Sequence, residues 1–547
     1  MMKTSILTSK FSCKKIIATL FLLLIAQFYV VDLSAQIPGS QSEILKKSQE
    51  ENLAKDPYWT MLLHYKNGNS IVRSEAFFLA KDGKKDLKSE LNATIKAFFD
   101  KNLSLKNNHA ICRFPARLKW LQERLGLLPS ILPKVKCNKL KEFQYNLSAD
   151  SVDVVFASES SSSIISMMGH IFLKISGKRG DGRVEYSLGY FAKFSKKAPF
   201  LSAMASVYPG IRGLYVLEPY RKKLYEYNDV KKRNIWEYKM NLSQGQINSL
   251  VLHLWELKDI DVEYEFIGHN CGSALLYLLY LADPRIEDVK KINPLDSPID
   301  IIKDLNDANY ISGVELLPED SYKMRMIEDN FGHKEKSQIK KGVLKGDVDF
   351  LKDYKLSDQK KANLVSGLQN FANVKLLDGS IDQRKYDKLQ EYLDVEERSL
   401  PKNNLIYDIR NSLNRMDSSR VDIGYADQSD IDDGVVNFGF KPVYNDLISN
   451  SSGYFNEMEL SLASFKGKYY IDDKKMYLDN FDLIKMKNIV PNKYLAGGSS
   501  GSFKVNLERQ SLYNDSGKMF ANAEFKAGLA SNFLSNVLAY SLVGGGY

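Results

Sequence analysis

The feature that most constrains this 547-residue chain is a pair of motif-bearing segments that lie far apart in it. In Ser163-Ile164-Ile165-Ser166-Met167-Met168-Gly169-His170-Ile171-Phe172-Leu173-Lys174-Ile175, Phe172 and Lys174 alternate with Ile171, Leu173 and Ile175, which predicts a strand led by His170. In His269-Asn270-Cys271-Gly272-Ser273, the following Leu275, Leu276, Leu278, Leu279 and Ala282 predict a buried helix ended by Asp283-Pro284. Asn270 stands at the N-cap, so Cys271 falls in the first turn. A thiol there meets unpaired N–H groups and the positive end of the helix dipole, a setting that favours thiolate and that a nearby imidazolium would favour further. The N–H groups of Cys271 and Gly272 can also hold an oxyanion. The pattern makes Cys271 a candidate nucleophile and His170 a candidate base, provided the fold joins them.

The start of the chain has the pattern of a secretory signal over residues 1–35. Lys3, Lys10, Lys14 and Lys15 precede an apolar run from Ile16 to Val31, and Leu33-Ser34-Ala35 precedes Gln36 as a cleavage site. The expected localisation is therefore exported, in the periplasm or at an outer membrane. The net charge of +9 is spread along the chain with no basic cluster interleaved with aromatics, so nucleic acid is not an expected partner. Removing the signal takes Cys13 and leaves Cys112, Cys137 and Cys271. In an oxidising compartment two of three should pair, and Cys112 with Cys137, close together in a polar, loop-rich region, is the expected disulfide. Cys271 is then a lone thiol; the competing reading is an inert cysteine buried on a helix.

Taken in order, residues 36–148 are a helical module, with helices expected from Asp56 and over Asp86–Phe99. Residues 149–300 are the Cys/His domain: strands over Val152–Ala157, after His170 and over Val184–Phe191, a short strand at Arg233–Tyr238, and a helix from Ser243 to Leu257. Residues 301–412 form a charged helical connection. Residues 413–547 alternate apolar and polar positions, as in Val421/Ile423/Tyr425, Val436/Phe438/Phe440 and Phe503/Val505/Leu507, which suits an outer-membrane-type β-barrel or a soluble antiparallel sheet. Six or seven strands fall short of a closed barrel, so the chain is expected to be incomplete there. The fold expected is a multidomain α+β chain, with the thiol domain between an N-terminal helical module and a C-terminal antiparallel β-barrel-like domain.

Other residues compete for roles. The serines from Ser158 to Ser163 lack a Gly-x-Ser-x-Gly elbow and suit a loop. Ser187, Tyr186 or Tyr190 on the returning strand can orient His170, and Asn270 is a further candidate. His269, two residues from Cys271, takes a minor share of the base role because neighbours so close on a turn point apart. His64, His109 and His253 suit structural or solvated positions. His170, His269 and Cys271 lack the spacing that would complete a zinc site, so neither metal nor cofactor is expected.

Met168-Gly169-His170 before an apolar strand and Asn270-Cys271 opening a helix resemble the N-terminal periplasmic domain family of the bacterial lipoprotein acyltransferase Lnb. The resemblance spans roughly residues 150–290 and includes Arg233-Asn234-Ile235-Trp236-Glu237-Tyr238 and His253-Leu254-Trp255-Glu256-Leu257. Cys112-Arg113-Phe114-Pro115-Ala116-Arg117 resembles a module that accompanies this domain in Gram-negative relatives, whose C-terminal part is also β-rich. The family is similar to permuted papain-like folds of the NlpC/P60 kind. It implies Cys271 as nucleophile, His170 as base, and lipid-acyl or amide chemistry on an envelope substrate, a bacterial lipoprotein or phospholipid first. Relatives often carry an acidic residue where His269 stands and Asn where Ser187 stands, which leaves the third catalytic residue open. Two other functions remain in view: a peptidoglycan amidase or peptidase using the same pair, and a non-enzymatic outer-membrane or scaffold protein.

Overall fold

The computed structural model describes residues 39–159, 169–193, 211–265, 269–289, 297–407, 411–428, 433–447, 458–510, 517–533 and 537–547. The signal segment, Met167-Met168 and most of the serine run lie outside the described residues. The chain divides into two compact units, one of residues 1–60 with 78–137 and one of 61–77 with 138–547. No helix among the described residues is long and apolar enough to cross a membrane.

The first unit is helical. Its helices are α1 (Gln41–Glu50), the start of α2 (Pro57–Leu62), α3 (Leu87–Phe98), α4 (Ala110–Arg113) and α5 (Pro115–Leu125). Ser40 caps α1 through a capping box with Glu43, and the Asp86 carboxylate accepts the Lys88 and Ser89 N–H groups at the head of α3. Trp59 stacks on Trp120 at 5.1 Å. Glu90 and Arg117, both fully buried, pair at 2.7 Å. The Glu90 carboxylate also accepts the Leu79 and Ala80 N–H groups. The expected disulfide is present between Cys112 and Cys137. His109 is structural: its ring accepts the Ile111 N–H at the head of α4 and bonds the Asp100 carbonyl.

The second unit continues with α6 (Asn138–Leu147), whose Phe143 lies 5.3 Å from Trp255. Residues 61–77 contribute the short pair β1 (Tyr65–Lys66) and β2 (Asn69–Ser70). They also make a bridge from Val72 to Val262. The thiol domain is a seven-stranded antiparallel sheet of β3 (Ala149–Ala157), β4 (His170–Arg179), β5 (Gly182–Ala192), β6 (Ile211–Pro219), β7 (Ile235–Met240), β8 (Val262–Tyr264) and β9 (Ile311–Leu317). Its order is β8-β6-β5-β4-β3-β7-β9. The edge strand β9 lies within residues 301–412, which the sequence reads as a helical connecting region.

Between β6 and β7 stand α7 (Tyr220–Leu224) and a π-helical turn over Tyr225–Val230. Next come α8 (Gln244–Glu256), capped by the Ser243–Gln246 box, α9 (Cys271–Ala282) and α10 (Pro298–Asp307). Period-two alternation sorts β4. Ile171 turns to the face covered by α9, its Cγ2 close to Gly272. Phe172 turns to the other face, against Tyr220 and Tyr227.

Helices α11 (Asp320–Ile327), α12 (His333–Lys345), α13 (Asp358–Leu377) and α14 (Gln383–Glu397) bury Met324, Ile339, Val343, Leu368 and Phe371 in a separate core. The eight-stranded C-terminal sheet runs through β10 (Arg420–Gln428), β11 (Asp433–Lys441), β13 (Met458–Tyr470), β14 (Lys475–Asn488), β15 (Ser500–Gln510), β16 (Lys518–Phe533) and β17 (Val537–Gly546), with β12 (Val443–Asn445) pairing β13. The Glu328 carboxylate accepts the Leu495 and Ala496 N–H groups and so ties the β14–β15 connection to the helices.

This sheet corrects the barrel expectation: among the described residues it is open, with β10 and β17 as its two edges. Its two faces differ. Val421, Ile423 and Tyr425 stand opposite Phe440, Phe438 and Val436 on one face. On the other, Lys441 pairs with Asp422.

Candidate functional site

The site lies where β4 begins and α9 begins. Gly169 precedes His170 with φ +78°, a left-handed conformation that glycine adopts freely, and a Cβ there would lie 2.4 Å from the Phe156 ring. The glycine of the motif is thus required by both backbone and packing. His170 pairs in register with Ala157 on β3. Its imidazole stacks on Phe191 at 5.1 Å, Tyr227 at 5.8 Å and Phe172 at 6.0 Å. Nε2 of His170 is buried and has no hydrogen-bond partner among the described residues. Burial first, then the charges of Arg233, Lys223 and Lys231, push its pKa down to about 3, so the ring is neutral.

Cys271 is the first residue of α9 and is half-buried. Asn270 is the N-cap: its Oδ1 accepts the Gly272 N–H at 2.9 Å and the Ser273 N–H at 3.2 Å, while its own N–H donates to Ser273 Oγ. The Gly272 N–H is therefore already engaged by Asn270, which weakens it as one half of an oxyanion pair. The head of α9 packs on the start of β4, where a Cβ on Gly272 would lie 3.9 Å from Ile171 Cγ2, and this contact brings the two motif segments together. No hydrogen bond joins His170 to Cys271 among the described residues. The helix end alone predicts a depressed thiol pKa. Burial pushes it up instead, outweighing the N–H groups of Ile171, Gly272 and Cys271 and the charge of Arg233, which pull it down.

Residues outside the two motifs complete the setting. Arg233 is buried at 2% exposure, its guanidinium donating to the Ala157 carbonyl at 2.6 Å and to the Ser158 carbonyl. It lies over the Tyr227 ring at 5.0 Å, and Lys231 lies over the same ring at 4.6 Å. Glu226 pairs with Lys223 and Lys231. Asn234, beside Arg233, accepts the Ser158 N–H at its carbonyl and donates its own N–H to Ser158 Oγ, while its Oδ1 accepts the Glu319 N–H after β9. Glu237 holds the helix α7 to the sheet, accepting the Tyr220 hydroxyl and Lys174 Nζ, the latter at 2.8 Å. The sequence marked 233–238 only as a strand and family landmark. A π turn has no periodic signature, so Tyr227 was not legible as a site residue.

The other expected residues lie elsewhere. Ser187 pairs with Lys174, four positions along β4 from His170, and its hydroxyl donates to the Glu218 carbonyl at 3.2 Å. Tyr186 pairs with Ile175, further still. Tyr190 donates to the Glu263 carbonyl and packs on Tyr215 and His269. His269 points into that aromatic wedge, against Tyr190 and Tyr277, with a pKa pushed down to about 3 by burial and then by His64 and Lys66. His64 and His253 form a buried pair, their Nε2 atoms 3.0 Å apart. Among the described residues no group of three His, Cys, Asp or Glu could hold a metal ion.

The geometry first defines a class: an antiparallel α+β domain with a free thiol in the first turn of a helix that packs on the residue following a strand-borne histidine. Within that class, residues 139–308 match the family model of the Lnb N-terminal periplasmic domain, and the thiol domain belongs to that family. Residues 51–124 and 416–547 match two further models, each described as a domain of unknown function (DUF7843 and DUF7840). No curated protein and no solved structure matches the chain.

Proposed function

We propose that this chain is an exported cell-envelope cysteine acyltransferase or hydrolase acting on lipid acyl groups, with a bacterial lipoprotein or phospholipid as substrate. The observation that carries the reading is the free Cys271 thiol at the head of α9, which packs on β4 at the residue after His170, whose Nε2 is buried and unpartnered among the described residues. Cys271 Sγ attacks the ester carbonyl, a thioester forms, and the alcohol leaves with the proton carried by His170. An amine or water then attacks the thioester, His170 takes its proton, and the thiol is restored. The permuted papain-like arrangement is supported by the chain order, with the His strand before the Cys helix.

The C-terminal sheet supports placement against an outer membrane. Large apolar side chains stand out on it, Ile423 at 80% and Val543 at 79% exposure, while charged pairs line the alternate positions of β11 and β14. Cells carrying Cys271→Ser test the function. Mass spectrometry of their lipoprotein N-termini is expected to show an altered acylation state. Unchanged lipoprotein acylation with altered muropeptides would overturn it in favour of a wall amidase.

A further inference from the structure

We propose that the outer side of the π-helical turn over Tyr225–Val230 is a docking surface for an anionic phospholipid bilayer. It would set the mouth of the site on its lipid substrate. The inference deepens the proposed function and rests on reading the site as one that acts on lipid acyl groups.

The stretch from Glu218 to Arg233 holds six basic residues against three acidic ones. In the sequence the two signs are interleaved, so no basic cluster stands out there. Burial and pairing sort them. Lys223 and Arg233 are turned inward, at 6% and 2% exposure. Glu218 is taken up by Lys222 at 2.9 Å and Lys223 at 2.7 Å, and Glu226 by Lys223 at 2.8 Å and Lys231 at 2.6 Å. Arg221 and Lys232 are exposed and have no ion-pair partner among the described residues. Half-buried Asp229 is the acidic side chain of the stretch without an ion pair there.

Large apolar groups stand out among these cations, Tyr225 at 61% and Val230 at 59% exposure. The turn closes through i→i+5 bonds, the Lys231 N–H reaching the Glu226 carbonyl at 3.1 Å, so Tyr225 and Val230 stand about one turn apart. An exposed aromatic and a valine flanked by unpaired cations have the composition of an interfacial anchor. The apolar groups enter the headgroup boundary and the cations meet lipid phosphates. Lysine is depleted at protein–protein interfaces, which favours lipid over a protein partner.

The inner side of the same turn belongs to the site. Tyr227, at 4% exposure, stacks on His170 and on Phe172, each at 5.8 Å. The Arg233 N–H bonds the Tyr227 carbonyl at 2.9 Å, and Asn228 Nδ2 donates to the carbonyls of Arg233 at 3.2 Å and Leu317 at 3.1 Å. The turn is thus fastened to β9, and a bilayer against its outer side lies across a single helical turn from the His170 ring.

The test uses the mature protein carrying Cys271→Ser and Tyr225→Cys, labelled with bimane at residue 225. It is mixed with vesicles of phosphatidylglycerol and phosphatidylcholine, or of phosphatidylcholine alone. Expected is a blue-shifted emission with the anionic vesicles, weakened by salt, and none with phosphatidylcholine alone. Adding Arg221→Glu/Lys232→Glu is expected to raise the lipid concentration for a half-maximal shift by about tenfold or more, with thermal unfolding unchanged. The label reads docking with both cations intact, so the result does not depend on that variant folding. No binding to anionic vesicles, or sedimentation with them without a shift at residue 225, would overturn the proposal. So would an equal shift on phosphatidylcholine alone, or an unchanged half-maximal concentration in the folded reversal variant. No acyl-enzyme on a protein whose residue-225 label still shifts would sink the proposed function and leave the docking surface standing; an acyl-enzyme with no shift would do the reverse.

Discussion

Ile171 Cγ2 lies 3.9 Å from where a Cβ on Gly272 would stand, so the helix that opens at Cys271 packs on the residue that follows His170. A strand residue and the first turn of a helix, far apart in the chain, are thereby held together. The alternation of β4 turns Ile171 toward α9 and His170 toward the aromatic face.

That arrangement depends on Gly169. Gly169→Ala forces a side chain into left-handed backbone and against Phe156, and is expected to cost about 1–3 kcal/mol. The same change should slow alkylation of Cys271 by displacing the start of β4. Thermal unfolding combined with thiol labelling checks both effects, and unchanged labelling would detach the glycine from the site.

In the N-terminal unit, Glu90 is the carboxylate on which three donors converge: Arg117 and the N–H groups of Leu79 and Ala80. Glu90→Ala leaves a buried guanidinium with its carboxylate removed, and should destabilise the unit by about 3–5 kcal/mol. Denaturant titration of that unit's tryptophan signal, from Trp59 and Trp120, measures it.

The Cys112–Cys137 bridge closes a loop within the same unit. Reduction, or the Cys112→Ala/Cys137→Ala double variant, is expected to remove about 3 kcal/mol of stability. Cys271 labelling at neutral pH should be unaffected, and a parallel loss of labelling would show that the two units are not independent in this respect.

Acid sensitivity follows from His269. Its folded pKa of about 3 lies below the ordinary histidine value, so it contributes stability above about pH 6.5. That stability is lost as pH falls from about 6.5 towards 3, at about 1.4 kcal/mol per unit. Between pH 7 and 5, wild type should lose about 2 kcal/mol more than His269→Phe, which keeps the ring contacts with Tyr190 and Tyr277. Urea midpoints at the two pH values give the comparison, and equal losses would exclude His269 as the source.

Local signals carried much of this architecture. The helix of Cys271, the strand of His170, the caps at Asp86 and Ser243 and the disulfide follow from periodicity, capping chemistry and cysteine arithmetic. What stayed hidden is non-local. β9 joins the thiol sheet only by pairing with β7, and its seven residues sit among charged helices that gave no hint of it. Arg233 looked like one cation among many until burial and two carbonyls singled it out. The thiol's pKa ran opposite to the helix-end expectation because burial at a sheet end cannot be seen from a helix cap. The orienting role imagined for Ser187 failed to meet His170 through register alone, since four positions of β4 separate them.

The most direct test of the proposed function is acyl-enzyme capture. The purified mature protein is incubated with dipalmitoyl phospholipid vesicles and analysed by intact mass before and after hydroxylamine. The account predicts a hydroxylamine-labile adduct of one palmitoyl chain on Cys271, absent in Cys271→Ser and strongly reduced in His170→Ala. An adduct that survives in Cys271→Ser, or no adduct on a wild-type thiol that iodoacetamide still modifies, would contradict it.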